Sequence, residues 1–86
     1  MPIGLKMHCL KIMPKYYDSL KHGYKPFEIR KNDRDFKVGD VLTLQEYDIE
    51  TKEYTESDEL YFDITYILDD SEYLQDGYVC LGIARR

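Results

Sequence analysis

Lys25, Glu28 and Arg30 fall within six consecutive residues and are the densest group of chemically capable side chains in the sequence. Glu28 and Arg30 are two apart in a stretch that alternates like a strand, so their side chains share a face. An exposed pair of that kind contributes about 0–1 kcal/mol and needs no functional explanation. Lining a cleft, the same residues do more. Arg30 would offer a planar fork to a phosphate or a base edge. Glu28 would orient that fork or accept from an exocyclic amino group. Lys25, at the entrance of the strand, would bind phosphate, or serve as a base if desolvation lowered its pKa.

The neighbouring candidates carry less. Lys31, Arg34 and Lys37 extend the positive charge, but Asp33, Asp35 and Asp40 alternate with them. That alternation predicts a loop organised by its own ion pairs, with Arg34 the best external contact. Lys11 points away from Leu10 and Ile12 and reaches the cleft as a second-rank candidate. Tyr16, Tyr17 and Tyr24 flank the cluster; Tyr24 is the candidate for stacking on a base, and core packing is the default for the other two. Glu46 is the one further carboxylate that acid–base chemistry could use. His8 shares a face with Leu10 and Ile12 and reads as a hydrogen-bonded core or rim histidine. Paired with Cys9 it does not suggest zinc, because adjacent strand residues face opposite ways and two ligands are too few. His22 reads as a cation at a helix end. Cys9 and Cys80 read as buried free thiols. The chain has no CxxC, HExxH, P-loop or GxGxxG, so no metal site and no cofactor are expected.

The elements that must position these residues are mostly strands. Lys6 to Ile12 alternates as a first strand, with His8, Leu10 and Ile12 on one face. Pro14 opens a short helix, where its missing N–H costs nothing. Tyr16, Tyr17 and Leu20 give that helix a narrow apolar stripe, Lys21 and His22 complement its dipole, and Gly23 closes it. Lys25 to Lys31 is a second strand, with Phe27 and Ile29 on one face and Pro26, Glu28 and Arg30 on the other. Val38-Gly39-Asp40 is a turn. Val41 to Tyr47, Leu60 to Leu68 and Tyr78 to Ala84 are further strands, the last with Val79, Leu81 and Ile83 inward. Asp48 to Glu59 reads as an acidic, flexible connection, and Asp69 to Gly77 as a polar turn region. The expected class is mainly β with one or two short helices (α+β), its five to six strands closed into a barrel that leaves no exposed edge.

Eighty-six residues make one domain, 1–86. The net charge of −5 conceals a division. Residues 1–40 carry nine bases and five acids, and residues 41–86 carry three bases and twelve acids. A local basic site is therefore possible where a broad duplex-binding surface is not, because affinity for nucleic acid grows with the number of phosphates neutralised. No apolar run approaches the length of a membrane span. Met1-Pro2-Ile3-Gly4 lacks the features of a signal peptide. A reducing, cytoplasmic setting and a monomer are expected, with no membrane partner.

Leu10-Lys11-Ile12-Met13-Pro14, Tyr16-Tyr17, the run Gly23 to Arg30 and Val38-Gly39-Asp40, taken in register, resemble an ASCH-type domain of the PUA-like superfamily. The Gly-x-Lys-x-x-Glu-x-Arg core at Gly23, Lys25, Glu28 and Arg30 matches that family's signature, and the likeness covers about residues 8–68. Lys31 to Phe36 and Gln45 to Asp48 resemble a small bacterial and phage branch of unknown function. The resemblance implies a PUA-like β-barrel whose cleft, beside the short helix, is lined by Lys25, Glu28 and Arg30, and an association with RNA. Some ASCH proteins are amidohydrolases of acylated cytidine nucleosides. They are similar at Lys25 and Arg30 but carry a threonine nucleophile where this chain has Glu28. The branch often has Tyr-Thr-Gly-Arg where this chain has Tyr54-Thr55-Glu56-Ser57, so a turn glycine and a base are absent.

Three expectations follow, in order. The first is a module that binds RNA or a nucleotide-like small molecule through Lys25, Glu28 and Arg30, with Arg34, Lys11 and Tyr24 around them. The second is a small amidohydrolase of a modified cytidine nucleoside, with Lys25 and Glu28 catalytic. The third is a phage or bacterial protein-interaction module that uses the acidic segment 46–63.

Overall fold

The computed structural model describes residues 6–86, so the expectation about Met1–Gly4 lies outside the described residues. β1 (Met7–Ile12) alternates strictly: His8, Leu10 and Ile12 are buried, and Met7, Cys9 and Lys11 face out. Met13 then holds an extended conformation and Pro14 occupies the first turn of α1 (Pro14–Lys21). Tyr17 and Leu20 anchor this helix in the core, while Tyr16 stays exposed. The expected stripe is thus one residue narrower. Gly23, at φ +80°, ends the helix with its N–H donating to the Leu20 carbonyl at 3.3 Å. His22 stands at the helix end as expected, its Nδ1–H donating to the Asp18 carbonyl at 2.9 Å.

The remaining strands are β2 (Phe27–Lys31), β3 (Val41–Asp48), β4 (Glu53–Tyr54), β5 (Leu60–Leu68) and β6 (Tyr78–Arg85). They form one sheet in the order β1-β3-β5-β6-β2, with the two-residue β4 paired to β3. The β1–β3 pair is parallel and the others are antiparallel. β4 lies in the segment expected to be a flexible connection. There Asp48 accepts from the Glu50 and Thr51 amides at 2.9 and 3.3 Å, and Lys52 takes a positive φ, so the acids shape a hairpin. Alternating Leu and Ile from β1, β3, β5 and β6 fill the core with Tyr17 and Leu20 of the helix. Val79, Leu81 and Ile83 point inward as the alternation requires.

The core is pinned at one end by Asp40, whose side chain is fully buried. Its carboxylate accepts from His8 Nε2–H at 2.8 Å, from the Lys37 amide at 3.0 Å and from the Lys6 amide at 3.2 Å. Burial alone would raise its pKa, but these donors outweigh burial and hold the carboxyl below its ordinary 3.8. His8 is the hydrogen-bonded core histidine its pattern implied.

A closed barrel was expected, and the strand ladder does not close: β1 and β2 are its two ends. In a flat five-strand path those ends would lie about 19 Å apart. Instead the sheet curls until arginine side chains bridge the seam. Arg30 Nη2 donates to the Lys11 carbonyl at 2.6 Å and Arg34 Nη1 to the Cys9 carbonyl at 3.3 Å. The reason lies in β2, which buries Glu28 and leaves Phe27 and Ile29 at 40% and 51% exposure. A buried carboxylate with its cations needs volume that backbone pairing of β1 with β2 would remove.

Candidate functional site

The unpaired seam holds a cavity of about 620 Å³, within the usual range for small-ligand sites. The end of β1 and the start of α1 supply Ile12, Met13 and Tyr16, and β2 supplies Lys25 at its approach and then Phe27 to Lys31. Tyr78 closes one side from β6, where it pairs with Lys31.

Glu28 organises this space. It is 4% exposed, an expensive position for a carboxylate. Arg30 Nε donates to its Oε2 at 2.9 Å, and Lys25 Nζ donates to its Oε1. The two cations offset the desolvation of the buried carboxylate. Each is held in turn: Arg30 by the Lys11 carbonyl, and Lys25 between the rings of Tyr16 and Phe27, 4.8 and 5.1 Å from its Nζ. Both keep N–H groups beyond those contacts. Among the described residues Lys11, Lys25, Arg30 and Lys31 line the cavity against one acid, Glu28, with the Lys11 ammonium engaged elsewhere. The arrangement can hold an anion beside an aromatic wall, and Glu28 fixes the cations in place before a ligand arrives.

The three signature residues are therefore brought together, while the other candidates are placed variously. Lys11 is among the lining residues, but its Nζ rests 4.2 Å from the Tyr47 ring centroid and 5.8 Å from that of Tyr54. Arg34 caps the Cys9 carbonyl and does not line the cavity. Tyr24 is 84% exposed, stacked on His22 and outside the cavity. Glu46 is also elsewhere, accepting from the Thr55 and Ser57 hydroxyls at 2.7 Å each. The loop after β2 is partly self-paired as its charges suggested, with Lys37 on Asp35 at 3.2 Å. The thiols expected to be buried are not: Cys9 is exposed on the outward face of β1 and Cys80 is half-buried. Among the described residues no cluster of three potential metal ligands exists, and no helix is long and apolar enough to cross a membrane. Met13, Phe27 and Tyr78 were missed as lining residues. Spacing could have flagged Phe27 beside the signature, but Tyr78 arrives only through the β2–β6 register.

Two comparisons bear on this arrangement. Residues 7–83 match the family described as a domain of unknown function (DUF3850). A protein of Escherichia phage P2, described as an uncharacterized 12.9 kDa protein in the GpA 3' region, is 37% identical over 78 residues. The aligned part is 88% of this chain and 66% of the phage protein, so the chain spans just under two thirds of that relative. The family match takes in α1, the first five strands, most of β6 and the whole seam, and on that extent the chain belongs to the DUF3850 family.

Proposed function

We propose that the seam cavity binds single-stranded RNA or a nucleotide-like small molecule, the ligand class that the likeness to ASCH and PUA-like domains suggests. One observation carries the reading. Glu28 is buried, and it holds Lys25 and Arg30 at an open cavity with aromatic rings beside them. A phosphate meets cations already in position, and a base meets Tyr16 and Phe27. The curled sheet bridged by Arg30 and Arg34 is compatible with a distorted PUA-like barrel. Equilibrium binding of a short single-stranded RNA tests the reading. Binding is expected to weaken with salt and to be lost in Arg30→Ala, with circular dichroism checking that the variant is folded. Equal, weak binding by both proteins would sink the proposal.

Hydrolysis of an acylated cytidine ranks second. It is favoured by the contact that sets a basic and an acidic group, Lys25 and buried Glu28, side by side at the cavity. Against it, both Glu28 oxygens already accept from cations, leaving the carboxylate poorly placed to activate water. Release of free cytidine from acylated substrate at high protein concentration would put this reading first.

A further inference from the structure

The backbone of β2 supplies a second set of contacts in the same cavity. The Ile83 amide donates to the Pro26 carbonyl at 3.1 Å and the Asn32 amide to the Gly77 carbonyl at 2.7 Å. These bonds fix the phase of the ladder that runs from Phe27 opposite Gly82 to Lys31 opposite Tyr78. In an antiparallel pair, bonded positions alternate with positions whose N–H and C=O point away from the partner. Pro26, Glu28, Arg30 and Asn32 are the bonded positions. The N–H and C=O groups of Phe27, Ile29 and Lys31 therefore point to the free edge of β2, and all three residues line the cavity. The Lys31 carbonyl accepts from the Asp33 amide at 2.9 Å. Phe27 and Ile29 each keep an N–H and a C=O side by side on this edge, and Ile29 stands at the middle of the strand where it lines the cavity.

The opposite wall differs. The Val41 amide donates to the Lys6 carbonyl at 2.9 Å, which turns the even-numbered residues of β1 toward β3 and Cys9 and Lys11 toward the seam. The two seam carbonyls of Cys9 and Lys11 are occupied by Arg34 and Arg30. On the β1 edge these two carbonyls are thus taken by side chains, whereas on β2 Ile29 keeps both its donor and its acceptor.

An adjacent donor and acceptor on one extended residue complement an adjacent acceptor and donor. Each of the four RNA bases has such a pair on its Watson–Crick edge: N1 and the amino group of adenine, N3 and the amino group of cytosine, O4 and N3–H of uracil, O6 and N1–H of guanine. We propose that the Ile29 backbone reads the Watson–Crick edge of an unpaired base, while Lys25 and Arg30 serve its phosphate. This rests on the nucleotide reading above and narrows it. The ligand is a nucleotide with a free pairing edge, of any base, and a duplex is excluded because its edges are already used.

Titration of 15N-labelled protein with uridine 5′-monophosphate and with 3-methyluridine 5′-monophosphate tests this. The second probe has a methyl group in place of the N3–H donor. Uridine monophosphate is expected to shift the Ile29 amide resonance, and the methylated probe to bind about ten-fold more weakly or worse, as loss of a paired edge contact implies. Equal affinity for both probes with an unmoved Ile29 amide overturns the backbone readout and leaves the nucleotide site standing. Binding of neither probe overturns the nucleotide reading and this inference with it.

Discussion

Glu28 and Asp40 are both buried acids, and their surroundings assign them different work. Glu28 is held by two partly exposed cations and faces a cavity. Asp40 is held by two backbone amides and His8 and faces the core. Glu28→Gln removes the charge while keeping the shape, so Lys25 and Arg30 are left to repel each other. We expect a loss of about 2 kcal/mol, read as a lower urea midpoint at unchanged slope. Asp40 sets an acid limit on the fold. Its carboxyl titrates below 3.8 in the folded chain, so the unfolded chain takes up this proton at higher pH than the folded one. The stabilisation is complete above about pH 4 and is lost as pH falls through the lower, folded value. Urea midpoints measured from pH 6 downward should fall below pH 4 in the natural protein. The fall should be shallower in Asp40→Asn, which starts from a lower midpoint.

At the scale of elements, α1 is held in the core by Tyr17 and Leu20. Leu20 is fully buried, and Leu20→Ala is expected to cost about 2–5 kcal/mol. Tyr24, just beyond the helix, is 84% exposed, and Tyr24→Ala should stay within about 0.5 kcal/mol of the natural protein. Thermal melts of the two variants separate these outcomes. The elements themselves were legible because each follows a local rule: Pro14 starting the helix, Gly23 stopping it, alternation marking β1 and β6. The burial of β2 was not. Alternation says only that Phe27 and Ile29 oppose Glu28 and Arg30, and hydropathy would put the apolar pair inside. The reverse occurs because Lys25 and the seam side of Arg30 arrive to neutralise Glu28. The convergence of Lys25, Glu28 and Arg30 was legible through the signature spacing. The displacement of Arg34 and Tyr24 was not, since it depends on β1 carbonyls and on the His22 ring, neither of which is visible in spacing. The open seam was hidden for a similar reason: strand counting does not tell which two strands remain unpaired.

Across the whole molecule, the charge of −5 describes an average that no ligand meets. The bases that line the cavity lie in the first forty residues, while the later acids Asp48 and Asp70 hold nearby turn amides. A site of this size neutralises few phosphates. The logarithm of affinity for single-stranded RNA should therefore fall with the logarithm of salt at a slope of about −1 to −2, well short of an extended basic groove. Fluorescence anisotropy across a salt series reads that slope directly. A crystal structure grown with a short single-stranded RNA tests the seam site most directly. Nucleotide density is expected in the seam between β1 and β2, with its phosphate on Lys25 and Arg30. Ordered nucleotide bound elsewhere on the protein, with that seam empty, would contradict it.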